Sequence, residues 1–145
     1  ELLKKIQLKT SGFTEVVPLP FVHMGSPIFL QGNSMPGPTW DEIVLMHSLA
    51  RIYFYNTIDN IQASWVKLGH DGAKVLLNSG VNDLGGTLIN ENISRASGAN
   101  HGQETTATEF INLIKHAGKI PYLRNTLYTS FKNLEGVSTQ NVIKI

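Results

Sequence analysis

Three short apolar segments of this 145-residue chain each end in side chains able to do chemistry. Residues 13–19 run through Pro18 and Pro20 to His23, residues 61–66 carry Gln62, Ser64 and Trp65 with Lys67 just beyond, and 81–84 deliver Asp83 into Gly85-Gly86-Thr87. A histidine changes charge near neutrality and suits proton transfer. Lysine and aspartate offer fixed opposite charges, and paired glycines let backbone amides approach a phosphate or carboxylate. In both barrels and open parallel sheets, ligands sit at the carboxyl ends of the strands. If the three segments are parallel strands, these groups converge on one face, which is the strongest physical pointer to an active site.

Each residue also has a plainer reading. Gly85-Gly86 is either a ligand cradle or a tight turn, Asp83 either an anchor for a substrate hydroxyl or amine or a cap for the next turn. Trp65 reads as core or as a stacking platform, and Lys67 as solvated or catalytic. His23, in a proline-flanked loop, and His101, within Gly-Ala-Asn-His-Gly, are the histidines with a functional claim; His47 reads as structural, His70 and His116 as surface. No two histidines have the i, i+4 spacing of a helical zinc site, and the chain lacks Gly-x-Ser-x-Gly and Gly-x-Gly-x-x-Gly. Asn92-Ile93-Ser94 matches a glycosylation sequon, which without a secretion signal carries no weight. Zero cysteines remove disulfides, thiolate metal sites and cysteine nucleophiles from these residues. A net charge of +1 offers no basic stripe for nucleic acid, and no apolar run reaches the roughly 18 residues of a membrane span.

The elements that must position these groups alternate. A helix is expected up to Ser11-Gly12, entered without its start, so the chain reads as a fragment of a longer protein. Capping boxes at Thr39-x-x-Glu42 and Thr106-x-x-Glu109 predict helices over 40–54 and from 106 to Gly118. The first of these presents Trp40, Ile43, Val44, Leu49, Ala50 and Tyr53 as its apolar face. A short helix over 71–79 stops at Gly80, and strands are expected at 13–19, 61–66, 81–84 and 121–128, with a polar loop near 90–105. That α-β-α-β-α-β-α-β order implies an α/β fold of about four parallel strands alternating with helices, either an open doubly wound sheet or half of a (β/α)8 barrel. Four such strands alone would leave two open edges.

The stretches Phe-Thr-Glu-Val-Val-Pro-Leu-Pro-Phe-Val-His-Met at 13–24, Asn-Ile-Gln-Ala-Ser-Trp-Val-Lys-Leu-Gly at 60–69 and Asn-Asp-Leu-Gly-Gly-Thr-Leu at 82–88 closely resemble the C-terminal half of the tyrosine-using subunit of FO synthase. The likeness continues through Arg-Ala-Ser-Gly-Ala-Asn-His-Gly at 95–102 and Pro121-x-x-Arg124-x-Thr126-Leu127-Tyr128. Menaquinone-pathway aminofutalosine enzymes and the thiazole tyrosine lyase share its weaker parts. The resemblance implies that residues 1–145 form the C-terminal half of a TIM-type radical S-adenosylmethionine barrel in a cytoplasmic enzyme. It implies a 4Fe-4S cluster and S-adenosylmethionine as cofactors. Its reaction would join the 4-hydroxybenzyl part of L-tyrosine to 5-amino-6-(D-ribitylamino)uracil with release of 2-iminoacetate, and a ring-closing subunit would be a partner. The family holds its cluster on Cys-x3-Cys-x2-Cys, absent here, so the fragment is expected to be inactive alone. Within that picture Asp83, His23 and Lys67 take catalytic roles. Gln62, Ser64, Trp65, Gly85, Gly86, Thr87, Glu91, His101 and Arg124 bind substrate or S-adenosylmethionine: Lys67, Arg124 or the Gly85-Gly86 amides face the tyrosine carboxylate, and Asp83 or Glu91 its ammonium. The alternatives are a menaquinone-type radical enzyme and a non-catalytic α/β binding remnant.

Overall fold

The computed structural model describes residues 1–87 and 104–136. Helix α1 (Leu2–Thr10) ends where Ser11 turns left-handed and its N–H returns to the Gln7 carbonyl, the expected stop. A single turn, α2 (Pro27–Leu30), interrupts the loop that follows. Helix α3 (Trp40–Tyr53) starts on its capping box: the Thr39 hydroxyl accepts from the Glu42 N–H, and the Glu42 carboxylate accepts from the Thr39 N–H at 2.7 Å. Those bonds hold the Glu42 carboxyl below its usual range. Helix α5 (Ala107–His116) repeats the device with Thr106 and Glu109, and Gly118 closes it at φ 73°. Two of the expected helix starts are thus fixed by four-residue motifs that need no tertiary help.

The central segments differ from expectation. Extended pairing reduces to single parallel bridges, Val16 to Ile61 and Gln62 to Asp83, so 13–19, 61–66 and 81–84 are not continuous strands. The segment expected to continue as strand to Val66 becomes helical at Trp65. Ser64 is the N-cap of α4 (Trp65–Leu77), which absorbs the helix expected at 71–79 and kinks at Gly69, φ 70°. Only a glycine takes that conformation without strain, so one continuous run of helix-compatible residues is broken into two pieces there. Residues 121–128 do not join a parallel sheet. Strand β1 (Tyr122–Arg124) pairs antiparallel with β2 (Phe131–Asn133), because Asn125 turns the chain: its side-chain oxygen accepts from the Thr129 and Ser130 N–H groups.

Ile61, Ala63, Trp65, Ala73, Leu76 and Leu84 make the buried centre; α5 packs on α4, and its Leu113 and the Ala117 that follows it join the same cluster. The inner stripe of α3 is Ile43, His47, Ala50 and then Phe54 past its end, at i, i+4, i+7 and i+11. Leu49, Trp40 and Tyr53, expected inside, are exposed, as are Leu45 and Ile52. Arg51 ties the segment ends together. Its guanidinium donates to the carbonyls of Gly80 and Asp59 and to Asn82 Oδ1, which also accepts from the Ile61 N–H. Among the described residues, no helix is long and apolar enough to cross a membrane.

His47 is 1% exposed; its Nδ1 lies 2.7 Å from the Ile43 carbonyl, and its buried Nε2 has no partner among the described residues. Burial pushes its pKa below the ordinary 6.5. The neutral ring is therefore the native form, and the stability it contributes is present above pH 6.5 and is lost as pH falls below that value. Urea unfolding should show a stability decline as pH falls below 6.5 that His47→Phe flattens, separate from the capping-box carboxylates, whose pKa values are held below 4.5. Removing the shared guanidinium with Arg51→Ala should cost about 2 kcal/mol in the same assay, since it holds the Gly80 and Asp59 carbonyls and the Asn82 side chain at once.

Candidate functional site

The polar faces of the bridged segments carry the site. Along 15–16 and 61–62 the side chains alternate, so Val16 and Ile61 turn to the apolar interior while Glu15 and Gln62 stand on the opposite side beside Asp83. Hairpin β1–β2 brings Arg124 to the same place. Arg124 Nε donates to Asp83 Oδ2 at 2.5 Å and Nη2 to Asp83 Oδ1 at 3.0 Å, a bidentate pair in which the Asp83 side chain is 9% exposed. Asp83 Oδ1 also accepts from the Gly85 N–H at 2.6 Å. Paired charges and backbone donation are what let a carboxylate sit this deep.

Around that pair lies a second layer of contacts. Arg124 Nη2 is 3.6 Å from Glu15 Oε2, and its guanidinium stacks over the Tyr128 ring at 4.1 Å. The Tyr128 hydroxyl donates to the same Glu15 oxygen. With the Gln62 amide oriented to satisfy its neighbours, its nitrogen donates to Asp83 Oδ1 at 3.2 Å and to Glu15 Oε2 at 3.0 Å. Tyr128 stands at φ 56°, a left-handed position that folds the ring back over the arginine. Hydrogen bonding to Asp83 and nearby carboxylates raise the Arg124 pKa, and burial followed by the bond to Glu15 raises that of the Tyr128 phenol well above its usual value.

Glycine suits position 85, where φ is 75° and a Cβ would come within 2.9 Å of the end of the Gln62 side chain. Trp65 is 3% exposed; its indole N–H donates to the Gly86 carbonyl at 3.2 Å and its ring meets Phe110 edge-on. It thus serves as core and also clamps the glycine turn. His70, read from sequence as a surface residue, is instead half-buried, 2.6 Å from Thr105 Oγ1 and packed on the Trp65 and Phe110 rings.

Of the residues singled out by sequence, Gln62, Asp83, Gly85 and Arg124 come into direct contact, with Gly86 and Trp65 adjoining. Ser64 stands at the N-cap position of α4 without a side-chain capping bond, Lys67 lies half-buried in its first turn, and Thr87 is exposed. His23 belongs to another locality: its Nδ1 accepts from the Gly37 N–H at 2.9 Å and its ring meets Phe29 edge-on at 4.6 Å. Glu91 and His101 lie outside the described residues. Glu15 and Tyr128 were not singled out by residue type. The one trace of Glu15 in the sequence is its alternation with Val16, and Tyr128 is placed by a turn that periodicity does not reveal.

Residues 10–137 match the family model described as the CofH/MqnC C-terminal region. The chain belongs to that family. It is 48% identical over 134 residues, 92% of its length, to the 5-amino-6-(D-ribitylamino)uracil–L-tyrosine 4-hydroxyphenyl transferase of Methanothermobacter thermautotrophicus, and 50% identical over 130 residues to the enzyme of the same name from Methanopyrus kandleri. It is also 47% identical over 128 residues to the FO synthase of Mycobacterium leprae. The chain spans 36%, 35% and 15% of those relatives respectively.

The Asp83–Arg124 pair is open to a direct measurement. Arg124→Met strands a nearly buried carboxylate and should destabilise the protein by about 3 kcal/mol, whereas Asp83→Asn with Arg124→Met should recover a good part of that loss in a urea double-mutant cycle. Arg124→Lys should recover little, because an ammonium reproduces neither the two-bond fork nor the stacking on Tyr128.

Proposed function

We propose that this chain is the substrate-facing C-terminal part of a radical S-adenosylmethionine transferase of deazaflavin coenzyme biosynthesis, acting on L-tyrosine and 5-amino-6-(D-ribitylamino)uracil in the cytoplasm. The observation that carries the reading is identity near one half across nine-tenths of the chain to transferases named for those two substrates. The polar cluster supports it independently: Glu15, Gln62, Asp83 and Arg124 gather beside the two parallel bridges, where a barrel built from residues 1–145 and a preceding half would have its mouth.

The cofactor set of such an enzyme includes a 4Fe-4S cluster. With no cysteine in the chain, these residues do not fit the cluster, and its ligands belong to other sequence of the enzyme. The role left to this part is to bind, orient and shield. Gln62, Ser64 and Thr87 offer neutral donors and acceptors for the uracil edge and ribityl hydroxyls, with His101 and Glu91 as further polar partners; His23, held against Gly37 and Phe29, takes no part. Lys67 and the amide of Gly86 suit a carboxylate, the Gly85 amide being taken by Asp83. Trp65 and Leu84, both buried, close the apolar side and keep water from a reactive intermediate. A ring-closing subunit is the expected partner for the next step.

The test is a chimera in which residues 10–136 replace the matched third of the Methanothermobacter relative, assayed without oxygen with both substrates and that relative's own cofactors. Coupled product should form, and Asp83→Asn should lower turnover at least tenfold. A folded chimera that makes no product would overturn the transferase reading, and undiminished turnover in Asp83→Asn would remove Asp83 from the site.

A further inference from the structure

The cluster is not electrically balanced. Glu15 and Asp83 bring two carboxylates, and Arg124 is the guanidinium paired with both. Asp83 uses both of its oxygens, Oδ2 for Arg124 and Oδ1 for Arg124, Gly85 and Gln62. It is therefore saturated and neutralised. Glu15 is different. The Tyr128 hydroxyl, the Gln62 amide and the longer approach of Arg124 all fall on Oε2. Among the described residues, Oε1 has no hydrogen-bond or ion-pair partner, and the Glu15 side chain is 31% exposed.

Holding one oxygen of a carboxylate by a phenol and an amide fixes the direction of the other. The Arg124 contact at 3.6 Å is too long for a good hydrogen bond and its guanidinium is already committed to Asp83, so the charge on Glu15 is only partly offset. A preorganised carboxylate on a side chain 31% exposed, next to a neutralised ion pair, suits a primary ammonium, which brings three donors and one positive charge. We propose that Glu15 Oε1 receives the ammonium group of the amino-acid substrate, with Tyr128 and Gln62 as positioning residues that orient it. The inference rests on the transferase reading for the identity of that amine, and it moves the cation-binding role from Asp83, which Arg124 already occupies, to a residue that the sequence did not single out.

Two-dimensional NMR titrations of the full chain separate the possibilities. The probes are tyramine, L-tyrosine, n-butylamine and 3-(4-hydroxyphenyl)propanoate, the last lacking the amine. In the wild-type protein tyramine and L-tyrosine should bind saturably. Glu15→Gln, which keeps the shape and the acceptor for Tyr128, should weaken both at least tenfold and leave the propanoate unchanged. Tyr128→Phe retains the charge but frees its orientation, and should weaken both amines severalfold; it also provides the test if Glu15→Gln does not fold. Amine binding that is equal in wild type and both variants would overturn the inference, as would failure of the wild type to bind either aromatic amine. Tyrosine binding that survives Glu15→Gln would leave the transferase reading standing while this inference falls. Glu15-dependent binding of n-butylamine as tight as that of tyramine would do the reverse.

Discussion

Two parallel N–H···O bonds from Arg124 to Asp83 span 41 residues and join parts of the chain that share no other regular structure. On one side stand the bridged segments, where Gln62 pairs with Asp83 and Val16 with Ile61; on the other stands the β1–β2 hairpin. Hairpins of three residues a side are marginal alone. This one is anchored by the ion pair, by the Tyr128 contacts with Arg124 and Glu15, and by Pro121, which is fully buried. The same guanidinium makes a buried Asp83 tolerable, and a fixed Asp83 in turn orders Gly85 and the side chain of Gln62.

The apolar side of the molecule answers to a different constraint. Trp65 has to be both a helix start and a core residue, and its indole N–H needs an acceptor, which Gly86 supplies. The glycine turn after Asp83 is thereby held from two sides, through its amide by Asp83 and through its carbonyl by Trp65. His70 and Phe110 complete the aromatic packing and draw α5 onto α4. Farther out, α1, the 16–20 segment and α3 border an open apolar groove of about 710 Å³ whose walls include Leu3, Pro18, Met46 and His47. None of the charged groups of the Asp83 cluster lines it, so the molecule keeps its polar chemistry and its apolar groove on separate faces.

Local rules made much of this legible in the residues themselves. The two capping boxes, the Ser11-Gly12 stop and the positive φ at Gly80 and Gly118 depend on contacts within a few residues, and each lies where the spacing puts it. Asp83, Gln62, Gly85 and Arg124 stood out by chemical type and by their place at the ends of apolar segments. The family was legible too, because motifs in five separated stretches occur in order, and the match to the CofH/MqnC C-terminal region covers residues 10–137.

What the sequence could not determine is whatever depends on partners far along the chain. Trp65 has the β propensity of its neighbours, yet it is buried against Phe110 and stands at a helix start. Residues 121–128 carry the composition of a strand, but strand composition does not say which neighbour it pairs with, and Asn125 selects an antiparallel return. Asp83 and Arg124 each read as free to meet a substrate. Only the tertiary structure brings them together, cancels their charges and leaves the charge of Glu15 only partly offset, because electrostatic balance belongs to a set of groups in space and is not carried by any one of them in sequence.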